Sequence, residues 1–412
     1  MERKRMIIVG ISMACGGTEQ AFLSFLNTVD RGQWEITMAL ACPIGPLMDR
    51  LPSDLTLISP LPEGDLFLLS AKNAPSVLGR ILLRRPDRLP SLLRAAIDAL
   101  LHPRRRGQIL TRLWVSLMNA LCPPLPPPEG GQYDLALSFW GDRTMFYVCD
   151  KVPHRRHLTW LHFDFEHPPR EEALYRRYFA RCDRVISVTE SGSRLLRTRF
   201  PTLSGRMITF ENRISPSRIR LLAEQPMPIP LPPSSLPLIL TVARICHQKG
   251  TDRIPHLLRR LRDRGVHVRW CIIGEGREEE LARLRRRSKE LGVGEQLLLL
   301  GRSDNPYPYF AACTLFVLPS RFEGKPITVE EAKILGCPIA VYDYLSSREQ
   351  LEGGRLGVIV AEEDEEGMVG AIATLIGSEP LREQYRRATL SAVPALGGQG
   401  MAQTDRLLKG EI

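Results

Sequence analysis

Short, almost continuous apolar runs alternate along the chain with stretches whose apolar residues recur at helical spacing. Runs of this kind are Met6 to Ile11 and Tyr133 to Phe139 in the first half of the chain, and Leu238 to Val242 and Thr314 to Leu318 in the second. Segments that are apolar on both faces are typical of parallel strands covered by helices on either side. The pattern therefore predicts an α/β protein with doubly wound parallel sheets.

A proline-rich stretch, 221–237, separates two such alternating regions. Consecutive prolines prevent a helix and are typical of a semi-rigid linker, so the stretch predicts a domain boundary. We expect an N-terminal domain over 1–220, with a helical insertion at about 66–128, and a C-terminal domain over 238–385. The remaining residues, 386–412, form a tail that we expect to pack back against the N-terminal domain.

The composition is that of an ordinary globular protein, with 412 residues, 43% hydrophobic and 25% charged. No apolar run is long enough to span a bilayer, and the basic N-terminus leads into a first strand rather than a secretion signal. The nine cysteines are scattered and include no C-x-x-C. This favours reduced thiols in the cytoplasm and argues against a zinc site or a disulfide framework.

Positive charge is concentrated between residues 66 and 120. The chain has a net charge of +10, and this segment holds ten basic residues against two acidic ones. Leucine, isoleucine and valine are interleaved with the arginines, a pattern that suits an anionic membrane surface. It also suits helices that pack on their own sheet with solvated arginines, and the sequence leaves both interpretations open. Prolines at 86, 90 and 103 exclude one long helix.

The most informative chemistry follows the apolar run Thr314 to Leu318. Glu323 and Gly324 occupy a strand-to-helix turn, Pro326 starts the next helix, and Glu331 lies within that helix. Free amides at a helix start bind phosphate, and carboxylates accept hydrogen bonds from sugar or ribose hydroxyls. The combination predicts a nucleotide-sugar pocket.

Two further loops of the second half carry candidate residues. Arg244 and Lys249 lie five positions apart around a strand-to-helix loop and are suited to clamping a diphosphate. Gly274 and Gly276 form a G-x-G turn at the end of another strand, although such turns also occur only for tight bends.

In the first half, Gly16 and Gly17 open a helix after the first strand, which favours a phosphate or simply a sharp turn. Four histidines cluster further on, at 154, 157, 162 and 167. Their spacing does not match a helical metal pair, so we expect no metal site there. Of these four, only His162 becomes a candidate functional residue, with Asp164 a weaker one, and it does so only through the family resemblance described below.

The stretch 320–338 resembles the E-x7-E motif of retaining GT-B glycosyltransferases, particularly glycosyltransferase family 4, also called group 1. The resemblance covers most of the chain and implies two Rossmann-like domains facing across a cleft. It assigns Glu323 to the donor sugar, Glu331 to the ribose, and Arg244 and Lys249 to the leaving diphosphate, with His162 near the sugar and acceptor. The donor-binding residues that it implies are Gly16, Gly17, Gly274, Gly276, Gly324, Lys325, Pro326, Ile327, Thr328 and Glu331.

The function implied by this resemblance is transfer of a sugar from a nucleoside diphosphate sugar to a glycan or lipid-linked acceptor, in cell-surface polysaccharide synthesis. The anomeric configuration would be retained. No metal or other cofactor is expected, because no clear D-x-D motif is present. Two alternatives remain: another nucleotide-sugar enzyme of this fold, such as an epimerase or phosphorylase, or a non-catalytic polyanion-binding module. No nucleic-acid-binding motif is recognisable, so nucleic acid is not an expected partner.

Overall fold

The structure is a computed structural model that describes residues 3–14, 16–70, 73–84, 86–90, 93–94, 97, 106–393 and 400–412. The described residues form two compact units, one within Met1–Asn212 and Gln399–Ile412 and the other within Arg213–Gly398. Each unit is built around a parallel sheet with helices between successive strands. The predicted α/β class with two doubly wound sheets is confirmed.

The first unit contains a parallel sheet of seven strands in the order β3-β2-β1-β4-β5-β6-β7. Its strands are β1 (Lys4–Gly10), β2 (Trp34–Leu40), β3 (Thr56–Ile58), β4 (Tyr133–Ser138), β5 (His154–Leu161), β6 (Arg184–Ser187) and β7 (Met207–Thr209). Its first helices are α1 (Gly17–Leu26), α2 (Ala74–Arg84), α3 (Arg106–Leu121), α4 (Asp142–Lys151), α5 (Glu172–Phe179) and α6 (Glu190–Arg199). The central strands are buried on both faces, as their continuous apolar sequence predicted.

The second unit contains a parallel sheet of six strands in the order β10-β9-β8-β11-β12-β13. Its strands are β8 (Leu238–Val242), β9 (Arg269–Ile273), β10 (Leu297–Gly301), β11 (Leu315–Leu318), β12 (Ile339–Tyr342) and β13 (Val358–Val360). Its helices are α7 (Pro216–Ala223), α8 (Ile254–Asp263), α9 (Glu278–Glu290), α10 (Tyr307–Ala312), α11 (Ile327–Ile334), α12 (Ser347–Gln350), α13 (Glu365–Gly377) and α14 (Glu379–Ala392). The strand order reverses direction between β8 and β11, and in such sheets ligands bind at the strand ends beside this switch.

The units divide at Asn212 and Arg213, earlier than the expected boundary at 220. The expected linker, 221–237, is also not a free spacer. The backbone N–H of Ile229 donates to the Tyr309 hydroxyl at 2.9 Å, and that hydroxyl donates back to the Ile229 carbonyl at 2.8 Å. The proline-rich stretch therefore packs on the second unit, because its backbone finds partners there.

The last helix, α15 (Met401–Lys409), belongs to the first unit. The Thr28 and Thr404 hydroxyls lie 2.8 Å apart in its core, and Arg156 donates to the Leu408 carbonyl at 2.8 Å. Residues 394–399 of the predicted tail lie outside the described residues.

The residues of the basic segment, 66–120, are divided between the core and the surface of the first unit. Val77 and Ile81 of α2 and Trp114 of α3 are buried in the core of the first unit, and the Trp114 indole donates to the Leu66 carbonyl at 2.6 Å. Leu83 at the end of α2 is 87% exposed. Part of the segment, including 91–92, 95–96 and 98–105, lies outside the described residues. Within the described parts of the chain, no helix has the length and apolar character needed to cross a membrane.

Candidate functional site

The loops that follow β8 and β9 run side by side in the second unit because glycine allows them to approach. A Cβ on Gly274 would lie 2.0 Å from the Ala243 carbonyl oxygen, and the Gly274 backbone has a φ of +156°. A Cβ on Gly276 would lie 2.7 Å from the Cβ of Ile245, whose N–H donates to the Glu275 carbonyl at 2.7 Å. Both predicted glycines are therefore required by the local packing at the strand ends.

Lys249 and Glu323 form the centre of the candidate site. The Lys249 ammonium lies 2.6 Å and 2.9 Å from the two Glu323 carboxylate oxygens, and the Ser320 hydroxyl donates to one of them at 2.7 Å. Glu323 is only 5% exposed. Gly250, which follows Lys249, has a φ of +64°, and a Cβ there would lie 1.9 Å from the Pro319 carbonyl oxygen. The two predicted residues thus come from different loops and are held in one rigid ion pair.

The turn between Glu323 and α11 is anchored by hydrogen bonds to its carbonyls. The Ser346 hydroxyl donates to the Gly324 carbonyl at 2.6 Å, and the Gln350 amide donates to the Pro326 carbonyl at 3.2 Å. Pro326 occupies the N-cap position, and no side chain in the described part of the chain caps the helix there. The Val329 N–H donates to the Pro326 carbonyl at 3.2 Å, so the first amides of α11 that are available to an anion are those of Ile327 and Thr328.

The remaining predicted residues of this turn lie at the helix start. Ile327 and Thr328 open α11, and Lys325 precedes Pro326; all three are half-buried.

Glu331 lies on the next turn of α11. Its carboxylate is half-buried and accepts a hydrogen bond from the Tyr307 hydroxyl at 2.9 Å. Burial raises the pKa of Glu331 to about 7, and the Tyr307 hydrogen bond opposes this increase. Its neighbour Glu330 is different, because Glu330 is buried and ion-paired to Lys333 at 2.7 Å. Of these two glutamates, Glu331 is the one suited to a ligand.

Arg244 is exposed at the end of β8. Among the described residues, no hydrogen bond or ion pair joins its guanidinium to Glu323 or to another carboxylate. Ser320 and Tyr307 were not predicted from the sequence. Ser320 lies two residues after the end of β11 and three residues before Glu323, whereas Tyr307 is 24 residues from Glu331 and no local pattern connects them.

His162 of the first unit directly follows β5. Its ring is half-buried and lies 4.7 Å from the ring of Phe139. Burial lowers the pKa of His162 to about 3, so the imidazole is neutral near pH 7. Neither ring nitrogen has a partner at ordinary hydrogen-bond geometry within the described residues, although the nearby Phe139 backbone partly opposes the lowering of the pKa. Asp164, in contrast, is engaged in its own loop, where it accepts from the Glu166 N–H at 2.9 Å and from His167 at 2.8 Å.

Gly16 and Gly17 stand at the start of α1 as predicted, with Gly16 at the N-cap. The Glu19 carboxylate lies against this helix start, since a Cβ on Gly16 would lie 2.3 Å from one of its oxygens. The Trp140 indole donates to the other oxygen at 3.2 Å. The positive end of α1 is therefore already faced by an acidic side chain, which weakens the case for a phosphate at these glycines.

The sequence of the second unit is similar to a known family of enzyme domains. Residues 225–391 match the sequence profile of the family described as "Glycosyl transferases group 1". The match includes the ion pair, the turn before α11 and Glu331.

Two characterised relatives are similar to the chain over parts of their length. A Campylobacter jejuni N-acetylgalactosamine-N,N'-diacetylbacillosaminyl-diphospho-undecaprenol 4-alpha-N-acetylgalactosaminyltransferase is 31% identical over 151 residues, covering 36% of this chain and 40% of that protein. The Rhizobium meliloti lipopolysaccharide core biosynthesis mannosyltransferase LpsB is 30% identical over 168 residues, covering 40% of this chain and 45% of that protein. The chain thus spans less than half the length of either relative.

Solved structures match the chain over nearly its whole length. Anabaena HepE in complex with UDP has a TM-score of 0.63 at 14% identity, covering 99% of both chains. WaaG, a glycosyltransferase involved in lipopolysaccharide biosynthesis, has a TM-score of 0.62 at 14% identity, covering 98% of this chain and 100% of its own. Together with the two parallel sheets, these likenesses show a GT-B fold.

Proposed function

We propose that this chain is a glycosyltransferase that moves a sugar, with retention of anomeric configuration, from a nucleoside diphosphate sugar to a glycan or lipid-linked acceptor. The observation that carries the proposal is the Lys249–Glu323 ion pair beside the uncapped start of α11. One carboxylate, one ammonium and free amides stand together at the carboxyl ends of parallel strands, where this sheet topology binds ligands.

Glu323 is suited to hydroxyls of the donor sugar. Its carboxylate is held by Lys249 and Ser320, so its orientation is fixed before a ligand arrives. A carboxylate oxygen can accept several hydrogen bonds, which leaves lone pairs for sugar hydroxyls.

Lys249 is suited to the phosphates. An ammonium has three N–H donors, and the two contacts to Glu323 leave one of them for an anion. The exposed guanidinium of Arg244 and the amides of α11 supply further positive groups. Together they would stabilise the charge that develops on the diphosphate as its bond to the sugar breaks.

In the proposed reaction, the acceptor oxygen bonds to the anomeric carbon on the face from which the diphosphate leaves. The acceptor's proton passes to the departing phosphate oxygen, so no protein nucleophile is required. The protein then contributes position and charge neutralisation. We assign Glu331 to the ribose hydroxyls, because its carboxylate lies one turn after the helix amides.

We propose that His162 hydrogen-bonds a sugar or acceptor hydroxyl. The ring is neutral, half-buried and without a partner among the described residues, and buried polar atoms of this kind normally find one. A neutral imidazole offers one donor and one acceptor. It does not act as a cation at this position.

We also propose that α2 contacts an anionic membrane surface, which would bring the enzyme to a lipid-linked acceptor at the inner face of the membrane. Leu83 is 87% exposed beside the exposed arginines Arg80 and Arg84. Each surface cation contributes roughly 1 kcal/mol near anionic lipid. In vesicle flotation, Leu83→Asp should lower recovery with anionic vesicles, whereas Leu221→Asp, at a 64% exposed leucine of the second unit, should not. Equal recovery of both variants would contradict the membrane contact.

The enzymatic proposal is tested by incubating the full chain with a panel of UDP, GDP and ADP sugars and measuring release of the nucleoside diphosphate. We expect one donor to be turned over by the wild type. In Glu323→Gln the rate should fall at least about a hundredfold, in line with loss of one preorganised catalytic contact. The matched control is Glu383→Gln, which makes the same substitution at a solvent-exposed glutamate of α14.

The products distinguish the alternatives. An epimerase would change the sugar while it remains attached to the nucleotide, and a phosphorylase would require phosphate and release a sugar phosphate. A polyanion-binding module would bind nucleic acid in a salt-dependent manner without donor turnover. Any of these results, or equal activity of Glu323→Gln and wild type, would overturn the proposal.

A further inference from the structure

The first unit contains a buried cluster of two thiols and one imidazole outside the proposed catalytic residues. Cys149 lies on α4, His157 on β5, and Cys182 in the connection between α5 and β6. All three residues are buried, and their three potential ligand atoms lie within 4.8 Å of one another. Three different elements thus bring metal-binding groups to one point.

The distances within the cluster fit a metal ion. Each cysteine sulfur lies 3.5 Å from Nδ1 of His157. Tetrahedral zinc with ordinary bond lengths to thiolate and imidazole separates sulfur and nitrogen ligands by about 3.5 Å. The side chains would therefore need little movement to coordinate the ion.

The groups around the cluster are those that orient metal ligands. The Ser138 hydroxyl lies 2.8 Å from Nε2 of His157, on the ring side away from the sulfurs. When Nε2–H donates a hydrogen bond to this hydroxyl, the Nδ1 lone pair is directed at the two thiols. The Asp183 carboxylate accepts from the His157 backbone N–H at 2.7 Å, and Arg181 donates to the Cys149 carbonyl. Hydrogen bonds from residues outside the three ligands thus fix the segments that carry them.

We propose that Cys149, His157 and Cys182 bind a thiophilic metal ion of the zinc class, contrary to our expectation from the sequence that the histidine cluster holds no metal. Two thiolates and a neutral imidazole around a divalent cation give a site with no net charge, which reduces the cost of burial. Thiolate and imidazole together select zinc over hard cations such as magnesium. The ligands are 8 and 25 residues apart, so the short motifs by which zinc sites are recognised in a sequence are missing.

The ion would have a structural role. His157 lies five residues before His162 along β5, a separation of about 16 Å in an extended chain, so the ion would not contact a ligand bound at His162. The site would join α4, β5 and the segment before β6. Because all three ligands are buried, the ion should enter as the unit folds.

The test measures metal in the full chain purified without chelator, and again after reducing, unfolding and refolding with Zn²⁺ or Co²⁺. We expect one equivalent of metal per chain and, with Co²⁺, the charge-transfer absorption of two thiolates. Cys149→Ser and Cys182→Ser should each lose the metal. Ser138→Ala should weaken binding by about 10- to 100-fold. Cys122→Ser, which removes a buried thiol outside the cluster, is the matched control.

If the serine variants do not fold, alkylation of the thiols in the wild-type chain tests the proposal instead. With Zn²⁺ present, Cys149 and Cys182 should resist alkylation during partial denaturation more than Cys122 does, as mapped by mass spectrometry. Failure of the wild type to bind Zn²⁺ or Co²⁺, equal alkylation of the three thiols, or a disulfide between Cys149 and Cys182 in place of metal would overturn the proposal. So would retention of the metal in both serine variants.

Discussion

Glu331 should make donor binding depend on pH around neutrality. Burial raises the pKa of this carboxyl to about 7. With that pKa, roughly one-tenth of the molecules carry an ionised Glu331 at pH 6 and roughly nine-tenths at pH 8. If the ribose hydroxyls donate to the carboxylate, the dissociation constant of a nucleoside diphosphate sugar should be about tenfold larger at pH 6 than at pH 8.

The assay is calorimetric titration of the wild type and Glu331→Gln between pH 6 and pH 8. Both phosphates of the donor are esterified, so the donor itself does not titrate in this window. His162 does not contribute either, because its pKa of about 3 lies far below the window. The glutamine variant should bind weakly at every pH with a flat profile. A flat profile in the wild type, or the same slope in both proteins, would show that ionisation of Glu331 does not control donor binding.

The same pKa has a consequence for stability. The folded pKa of about 7 lies above the ordinary value of 4.5, so the folded chain binds more protons than the unfolded chain between these values. The free energy of unfolding should therefore fall as pH rises through this window, by about 3 kcal/mol in total from Glu331. Urea unfolding at pH 5 and pH 8 should show this decrease, and Glu331→Gln should reduce it. An identical pH dependence in both proteins would contradict the assigned pKa.

Three further variants separate binding, catalysis and folding. Lys249→Ala should lower kcat/KM by about 10²- to 10³-fold, because a preorganised charge is removed and Glu323 is left buried without its ion-pair partner. Activity within a few-fold of wild type would count against this role of Lys249. Arg244→Ala should weaken donor binding about tenfold while leaving the Tm unchanged, since the side chain is exposed; a lowered Tm would indicate a structural role instead. Gly274→Ala should lower the Tm, because its Cβ would lie 2.0 Å from the Ala243 carbonyl oxygen, and an unchanged Tm in a thermal melt would contradict that geometry.

The sequence predicted the fold well because its strands are buried on both faces. Continuous apolar runs such as Leu315–Leu318 indicate parallel sheets directly, and their alternation with helices limits the topology to doubly wound forms. The turn at Glu323 was also predictable, since glycine, proline and the helical pattern that follows all specify the same local structure.

Other parts of the molecule depend on contacts that no local pattern encodes. The proline-rich stretch predicted a linker, yet Ile229 pairs with the distant Tyr309. The glycines at the start of α1 were compatible with a phosphate or with a sharp turn alone, and the sequence did not indicate that the carboxylate of Glu19 lies against this helix start. The elevated pKa of Glu331 likewise arises from burial, which depends on how the elements pack around α11.

The proposed function depends on a nucleotide-sugar site built on Lys249, Arg244 and Glu331 in the second unit. The most direct test is calorimetric titration of the full chain with UDP, GDP and ADP, beside Lys249→Ala and Arg244→Ala. We predict that one nucleotide binds with a stoichiometry of one and that both variants bind it at least tenfold more weakly. Binding of no nucleotide, or equal binding by the wild type and both variants, would contradict the claim.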